Sequence, residues 1–371
     1  MSYRRFAVFF LLLCSLLIGC KSYFVQVIIH NFADIDDYKI FENRTIQKGT
    51  PLPWPESPDK NKSSLSAEHL KYMESMKSIA FLVIQNGEIL HEQYWQGFGS
   101  SSYSGSFSMA KSYISALIGI ALDEKKIASL DQTLGELIPE YAHEGRADIS
   151  IRHLLTMSSG LDYSEKYFTP FSQVAKSYYT NDLRGHARSI KKIYPAGNSF
   201  EYQSINQIFL ALVLEKVTGK SVSEYLSEKL WQPLGSENDA TWSLDDVNGL
   251  EKTYCCLNSN ARDFARLGQL YLNHGRWNGK QLISEKYIRE SVKPSRLNHM
   301  TNPIYGYSWW LMEHKGLFVH HAWGFMGQHI MVVPNKQMVI VHLGKYEYPE
   351  DDPLYGKDIE SYLDAGLSVA H

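Results

Sequence analysis

Ser108 and Lys111 stand three residues apart in "GSFSMAKSYISALIGIAL", Gly105 to Leu122, at the start of a stretch that is apolar on nearly every side. Residues three or four apart share one face of a helix, so a hydroxyl and an ammonium can meet there. A buried lysine is costly unless it has a partner or a task. A serine is a poor nucleophile until a neighbour takes its proton. The chemistry this pair suggests is nucleophilic attack by Ser108 with Lys111 as base. The Ser-x-x-Lys pattern occurs three times, from Ser57, Ser108 and Ser189, but only Ser108 opens a long apolar helix, behind the small-residue run "SSYSGS". Ser108, Lys111, Ser112, Ser115 and Gly119 form one small or polar stripe, which lets another element approach closely. The competing reading is a capped core helix with a snorkelling lysine.

Such a pair must be held by a fold large enough to bury it. The chain has 371 residues, 44% hydrophobic and 21% charged, which suits one large globular domain or two closely joined lobes. With a formal charge of -3 and no basic run interleaved with aromatics, a nucleic-acid partner is not expected. Asn86-Gly87 between two apolar runs in "IAFLVIQNGEILHEQYW" is a strong hairpin signal. Helical patterns dominate from Ser108 to about Val292, two of them ending at Gly219 and Gly275. Strand patterns return in "YGYSWWL", "HIMVVP" and "MVIVHLG", followed by a closing helix near Lys357 to Val369. The economical arrangement is one antiparallel sheet assembled from both chain ends with a helical lobe inserted, and a cleft between them.

The first residues, "MSYRRFAVFFLLLCSLLIGCKS", carry Arg4 and Arg5 ahead of an apolar run from Phe6 to Gly19, the layout of a secretory signal. Its end, "LIGC", looks like a bacterial lipobox with Cys20 as the lipidated residue; an uncleaved anchor is the alternative. Lys21 is not the aspartate associated with inner-membrane retention, which points to the outer membrane of a Gram-negative envelope, facing the periplasm. The expected organisation is therefore a signal over 1–19, a tether and lead-in over 20–75 rich in Pro, Lys, Ser and Asn, and a catalytic domain over 76–371, with the fold proper starting near Ile79. Of the remaining cysteines, Cys255 and Cys256 are adjacent and are expected to be buried thiols, since a bridge between neighbours needs a strained local backbone. His314, His320, His321 and His329 cluster in sequence without metal-ligand spacing, so they are read as ordinary strand and loop residues.

Beyond the serine and lysine, the chain contains "ISIRHLLTMSSGLDYSEKY", "YPAGNSFEYQSINQIFLALVLEKVTG", "NARDFARLGQLYLNHGRWNGKQLIS", "YGYSWW" and "AWGFMGQHIMVVP". In this order, from about Ile79 to the C-terminus, these resemble the serine β-lactamase-like hydrolases of the penicillin-recognising fold, most closely the esterase and 6-aminohexanoate-dimer hydrolase branch. The resemblance implies a mixed α/β, transpeptidase-like fold and a hydrolase that needs neither cofactor nor metal. It makes Ser108 the nucleophile, Lys111 its base partner and Tyr202, in "FEYQS", a proton-sharing third group, with Ser204 beside it. No buried Ser-His-Asp set is evident, and lysine and tyrosine can share a proton if desolvation and mutual contact lower their pKa values. Tyr202 as a packed aromatic is the alternative. The resemblance further implies an oxyanion hole from the N–H groups of Ser108 and Phe325, with Gly324 at the strand edge, and a substrate contact from Tyr167. Tyr167 is otherwise a surface-loop tyrosine.

The chain departs from penicillin-binding members where their strand carries a lysine or histidine: Ala322 stands at that position in "AWGFMGQ". A cation there binds the carboxylate of penicillins and D-Ala-D-Ala peptides. The reading is thus a lipid-anchored envelope serine hydrolase acting on small esters or linear amides. A peptidoglycan-directed peptidase or β-lactamase, and a non-catalytic envelope binding protein of the same fold, are the alternatives.

Overall fold

The computed structural model describes residues 23–30, 33–167, 169, 171–349 and 357–370. Cys20, the signal-like run and the lipobox lie outside the described residues. In chain order, the elements that position the site are helix α1 (Tyr23–His30), strand β1 (Asn43–Ile46), and the hairpin β2 (Ser78–Gln85) and β3 (Glu88–Tyr94). Then come α2 (Ala110–Asp123), α3 (Gln173–Tyr179), α4 (Ile205–Thr218), β4 (Ala240–Ser243), β5 (Leu257–Ser259), α5 (Ala261–Leu272) and α6 (Glu285–Ser291). The C-terminal part supplies β6 (Trp310–His314), β7 (Leu317–Gly324), β8 (Gln328–Val333), β9 (Met338–Gly344) and the closing helix α7 (Asp358–Val369).

Strands from both ends of the chain form one antiparallel six-stranded sheet in the order β6-β7-β8-β9-β2-β3. The turn joining β2 to β3 is made by Asn86 (φ 53°) and Gly87 (φ 81°), the pair of left-handed conformations that a two-residue hairpin turn requires. Both faces of the sheet are covered. Leu82, Ile84, Ile330, Val332, Val339 and Val341 point into the large core shared with α2 and α5. Their alternates Phe81, Val83, Met331, Val333 and Ile340 point to a second core under α7. The period of two thus distributes one run of apolar residues between two layers, which is why these strands read as continuously hydrophobic. The helical part is inserted between β3 and β6, so the mixed α/β arrangement matches the expected one.

Helix α2 is buried from Ala110 through Ala121. Its stripe of small residues receives α6: the Tyr287 hydroxyl donates to the Ser115 carbonyl oxygen at 2.8 Å and lies 3.1 Å from Ser115 Oγ. Ser112 Oγ donates to the Ser308 carbonyl oxygen at 2.7 Å. At Gly119 a β-carbon would come within 2.5 Å of the Tyr287 ring, so only glycine admits this contact.

Two expectations are corrected. The lead-in is packed rather than tethered: Ile35, Ile46, Trp54 and Leu65 are buried, and β1 pairs antiparallel with β4 in a second, smaller sheet. Its apolar residues are sparse and aperiodic, each serving as a single anchor; Trp54 Nε1, for one, donates to the Arg262 carbonyl oxygen at 2.9 Å. Cys255 and Cys256 are joined by a disulfide of 1.98 Å rather than left as thiols. The left-handed backbone at Cys256 (φ 68°) turns the two neighbouring side chains toward each other. Both remain buried, as expected.

The Gly119 contact can be tested. Gly119→Ala should lower unfolding stability, because a methyl 2.5 Å from a ring carbon of the hydrogen-bonded Tyr287 puts the cost toward the upper end of the ~1–3 kcal/mol of overpacking, against the roughly 1 kcal/mol that alanine gains over glycine in helix propensity. Denaturant titration should show the loss, and the loss should shrink in a Tyr287→Ala background.

Candidate active site

Ser108 lies in a tight turn, Phe107–Met109, that runs directly into α2. Phe107, just before it, adopts φ 42°, a left-handed conformation that costs a non-glycine residue of order 1–3 kcal/mol and clusters at functional sites. Lys111, one turn on, is buried. Its Nζ donates to Ser108 Oγ at 2.7 Å and to the Tyr254 carbonyl oxygen at 2.9 Å. Burial pushes the Lys111 ammonium down to about 7, with the Glu165 carboxylate acting in the opposite direction. Near neutral pH a large share of this lysine is therefore an amine with a free lone pair, and the Tyr254 carbonyl occupies one of its N–H groups.

Tyr202 approaches the lysine from the other side. Its ring centroid is 4.9 Å from Lys111 Nζ, and it stacks on Trp310 at 5.3 Å and meets the edge of Tyr305 at 6.1 Å. The loop carrying it is pinned by Gln203, whose buried Nε2 donates to the carbonyl oxygens of Leu161 (2.8 Å) and Tyr163 (2.9 Å). That explains a glutamine between Tyr202 and Ser204. Ser204 opens α4, and both its backbone N–H and its hydroxyl donate to the Glu165 carboxylate, the former at 2.9 Å.

Gly324 ends strand β7 against the serine turn. A β-carbon there would lie 2.3 Å from the Ser106 carbonyl oxygen and 3.1 Å from Ser108 N, so only glycine lets the strand edge approach this closely. The following residue, Phe325, is brought beside the turn, its ring 5.8 Å from that of Phe107. Tyr167 stacks nearly parallel on Phe325 at 6.0 Å and donates from its hydroxyl to Glu165 at 2.7 Å. Tyr167 thus belongs to the site wall and is half-buried, rather than standing in an open surface loop.

Ser108, Tyr167, Ser204 and Phe325 border a cavity of ≈ 300 Å³, with Lys111 behind Ser108. Ser108, Thr169 and Ser204 are among its polar lining residues, and Phe107, Tyr167, Tyr178, Tyr179, Tyr254 and Phe325 are its aromatic ones. Among its described lining residues none is a lysine or arginine. Ala322 is buried in β7 opposite Ile330. Ser108, Tyr167, Ser204 and Phe325 thus line one opening, while Lys111 and Gly324 meet the Ser108 turn from behind it and Tyr202 meets Lys111. Sequence reasoning missed Glu165, which ties Ser204 to Tyr167; its position in "SEKY", beside a tyrosine already singled out, was the available signal. It also missed Trp310, which backs Tyr202. The histidines lie on β6, β7 and β8: His329 contacts Asp358 at 3.2 Å and His314 contacts Asp364 at 2.7 Å. Among the described residues no group of three or more His, Cys, Asp and Glu is placed to hold a metal ion.

The Beta-lactamase family matches residues 67–362 of the chain. A 6-aminohexanoate-dimer hydrolase of Paenarthrobacter ureafaciens is 28% identical over 313 residues, covering 78% of this chain and 78% of that protein. Among solved structures, a Bacillus anthracis protein provisionally named as a 6-aminohexanoate-dimer hydrolase superposes with a TM-score of 0.77 at 24% identity, over 90% of this chain and 92% of that one. A family VIII carboxylesterase superposes with a TM-score of 0.59 at 17% identity, over 82% of this chain and 99% of that one. These likenesses, the antiparallel sheet built from both chain ends and the inserted helical lobe agree: the chain belongs to the beta-lactamase family and is a serine hydrolase of that fold.

Proposed function

We propose that this hydrolase cleaves small esters or linear amides through an acyl-enzyme on Ser108, without metal or cofactor. The observation that carries this reading is the 2.7 Å contact between Ser108 Oγ and a buried Lys111 whose pKa is about 7. The Lys111 amine takes the Ser108 proton as Oγ bonds to the substrate carbonyl carbon. Charge that develops on the carbonyl oxygen is received by the N–H groups of Ser108 and Phe325. The proton passes through Tyr202 to the leaving alcohol or amine as the C–O or C–N bond breaks. Water then attacks the acyl carbon, one of its protons passes to Ser108 Oγ as the acyl–Oγ bond breaks, and the carboxylic acid leaves. Tyr167, Ser204 and Gly324 shape the space that holds the acyl part. The names of the relatives, a linear-amide hydrolase and a carboxylesterase, favour the same substrate classes. Ala322 and a cavity wall without a described cation disfavour penicillins and D-Ala-D-Ala peptides, whose carboxylate would lack a partner. The Ser108–Lys111 contact disfavours a non-catalytic binding protein.

We also propose that residues 1–19 are a signal and that Cys20 anchors the chain by lipid in the cell envelope, facing the periplasm from the outer membrane. This rests on Arg4 and Arg5, the apolar run from Phe6 to Gly19, and "LIGC".

The nucleophile assignment is tested by a fluorophosphonate probe, which should label Ser108 and leave Ser108→Ala unlabelled; peptide mapping to another residue overturns it. The lysine role is tested by the pH dependence of kcat/KM. Lys111 must be neutral to accept a proton, so activity should fall as pH drops through about 7. Glu165→Gln removes the charge that raises this pKa, and should move the acid limb to lower pH; an unmoved limb assigns it to another group. The proton-delivery role of Tyr202 is tested by Tyr202→Phe. An amine leaves badly without a proton whereas a nitrophenolate does not, so single-turnover acylation by linear amides should lose ~10²- to 10⁴-fold and that by nitrophenyl esters far less. Equal losses would place Tyr202 with Lys111 in activating Ser108.

A further inference from the structure

Helix α1, "YFVQVIIH", is apolar on both sides. Its inner side packs against α3 and contributes Val27 and Ile28 to the rim of the active-site cavity. Its outer side leaves Phe24 and Ile29 exposed, at 37% and 55%, and Ile28, at the cavity rim between the two sides, is 79% exposed. Phe171, 74% exposed just ahead of α3, extends this surface, its ring 5.3 Å from that of Phe24. A helix apolar all round is one covered on both sides, and here no described residue covers the outer side. The covalent distance to the chain's candidate lipid site identifies the cover. Tyr23 is three residues from Cys20, and a fully extended chain spans at most ~3.6 Å per residue, so α1 begins within about 11 Å of Cys20. A lipid at Cys20 holds the start of α1 beside the bilayer, and the exposed apolar side then favours laying the helix on it. Apolar side chains at such a surface enter the boundary between headgroups and acyl chains.

We infer that the mouth of the active site lies against the lipid surface, and that the substrate is an amphiphile, an ester or amide with a long apolar chain, drawn from the bilayer past α1. This rests on the serine hydrolase and lipid-anchor readings above. The cavity wall agrees with it: Tyr178, Tyr179, Val174 and Phe325 offer an apolar bed between Ser108 and the α1 rim. The bond changes are those already given, with the long chain on the acyl or the leaving side.

The test uses the full chain in vesicles of phosphatidylethanolamine and phosphatidylglycerol. Wild type is compared with Phe24→Ser/Ile29→Ser/Phe171→Ser, which touches no residue of the cavity wall. Turnover is measured on 4-methylumbelliferyl palmitate, which partitions into the vesicles, and on the water-soluble acetate. The variant should lose at least about tenfold on the palmitate, since withdrawing one apolar side chain from water is worth roughly that factor, and should keep the acetate rate. A separate readout needs no turnover: an environment-sensitive NBD fluorophore on Phe171→Cys should shift to the blue on vesicles. No shift, equal losses on both esters with an unchanged circular dichroism spectrum, or wild type that cleaves acetate but not palmitate, each overturns the inference. A blue shift that instead needs high protein concentration without lipid overturns it in favour of self-association. If wild type cleaves neither ester and takes no fluorophosphonate, the hydrolase reading fails, and with it the substrate inference.

Discussion

Lys111 sits where a charge is poorly tolerated, and the architecture around it is arranged to keep it there. An ammonium in this position has lost its water, and what it has gained is one carbonyl oxygen, one hydroxyl and an aromatic face. Burial without a carboxylate in direct contact is what converts a surface base into one poised near neutrality. The same burial occurs elsewhere in the chain with a different outcome. Lys252 is also pushed down to about 7, yet its Nζ donates to the Tyr178 carbonyl oxygen at 2.5 Å and lies 4.2 Å over the Phe41 ring, with no described hydroxyl placed to give up a proton. Desolvation supplies the neutral amine; the single helical turn between Ser108 and Lys111 supplies the use.

That turn is stiff because α2 is gripped along its whole length. Tyr287 lies against the glycine and serine side, the sheet lies beneath, and Gly324 lets β7 press on the serine turn itself. Ser108 is consequently held from the helix and the strand edge, and the Tyr254 carbonyl holds the Lys111 nitrogen against it, so little reorganisation accompanies proton transfer. Glu165 plays a complementary part. It gathers Ser204 and Tyr167 while acting on Lys111 through its charge, which raises the lysine pKa against burial; among the described residues no carboxylate forms an ion pair with that lysine.

Much of this was legible in the residues. Alternating and continuous apolar runs marked β2, β3, β8 and β9, Asn86-Gly87 marked their turn, and the small stripe on α2 foretold a close neighbour, which proved to be Tyr287. Less legible were features that depend on approach between distant segments. Glu165 has no periodic signature, because its role arises only when the loop before α3 meets the start of α4. The lead-in looked like tether because Ile35, Ile46 and Trp54 are isolated in polar sequence, and a lone anchor leaves no pattern. The bridge between Cys255 and Cys256 depends on a left-handed backbone at a non-glycine residue, a conformation that side-chain type does not announce.

The sheet built from both chain ends has a consequence for assembly. Leu82 of β2 pairs with Val341 of β9, so the central ladder joins residues from nearly opposite ends of the sequence. Contacts of such long separation carry a large loop-closure entropy before they return any stabilisation, and they slow folding. As the chain is synthesised from its N-terminus, β2 waits with one edge unpaired while the whole helical lobe and the serine turn are made. The strand that presses on Ser108 arrives only with β7, so the nucleophile and its lysine exist as a pair long before they exist as a site. Chains that stop short of residue 344 would therefore carry the chemistry without the geometry, together with an exposed apolar strand edge prone to pairing with its own kind.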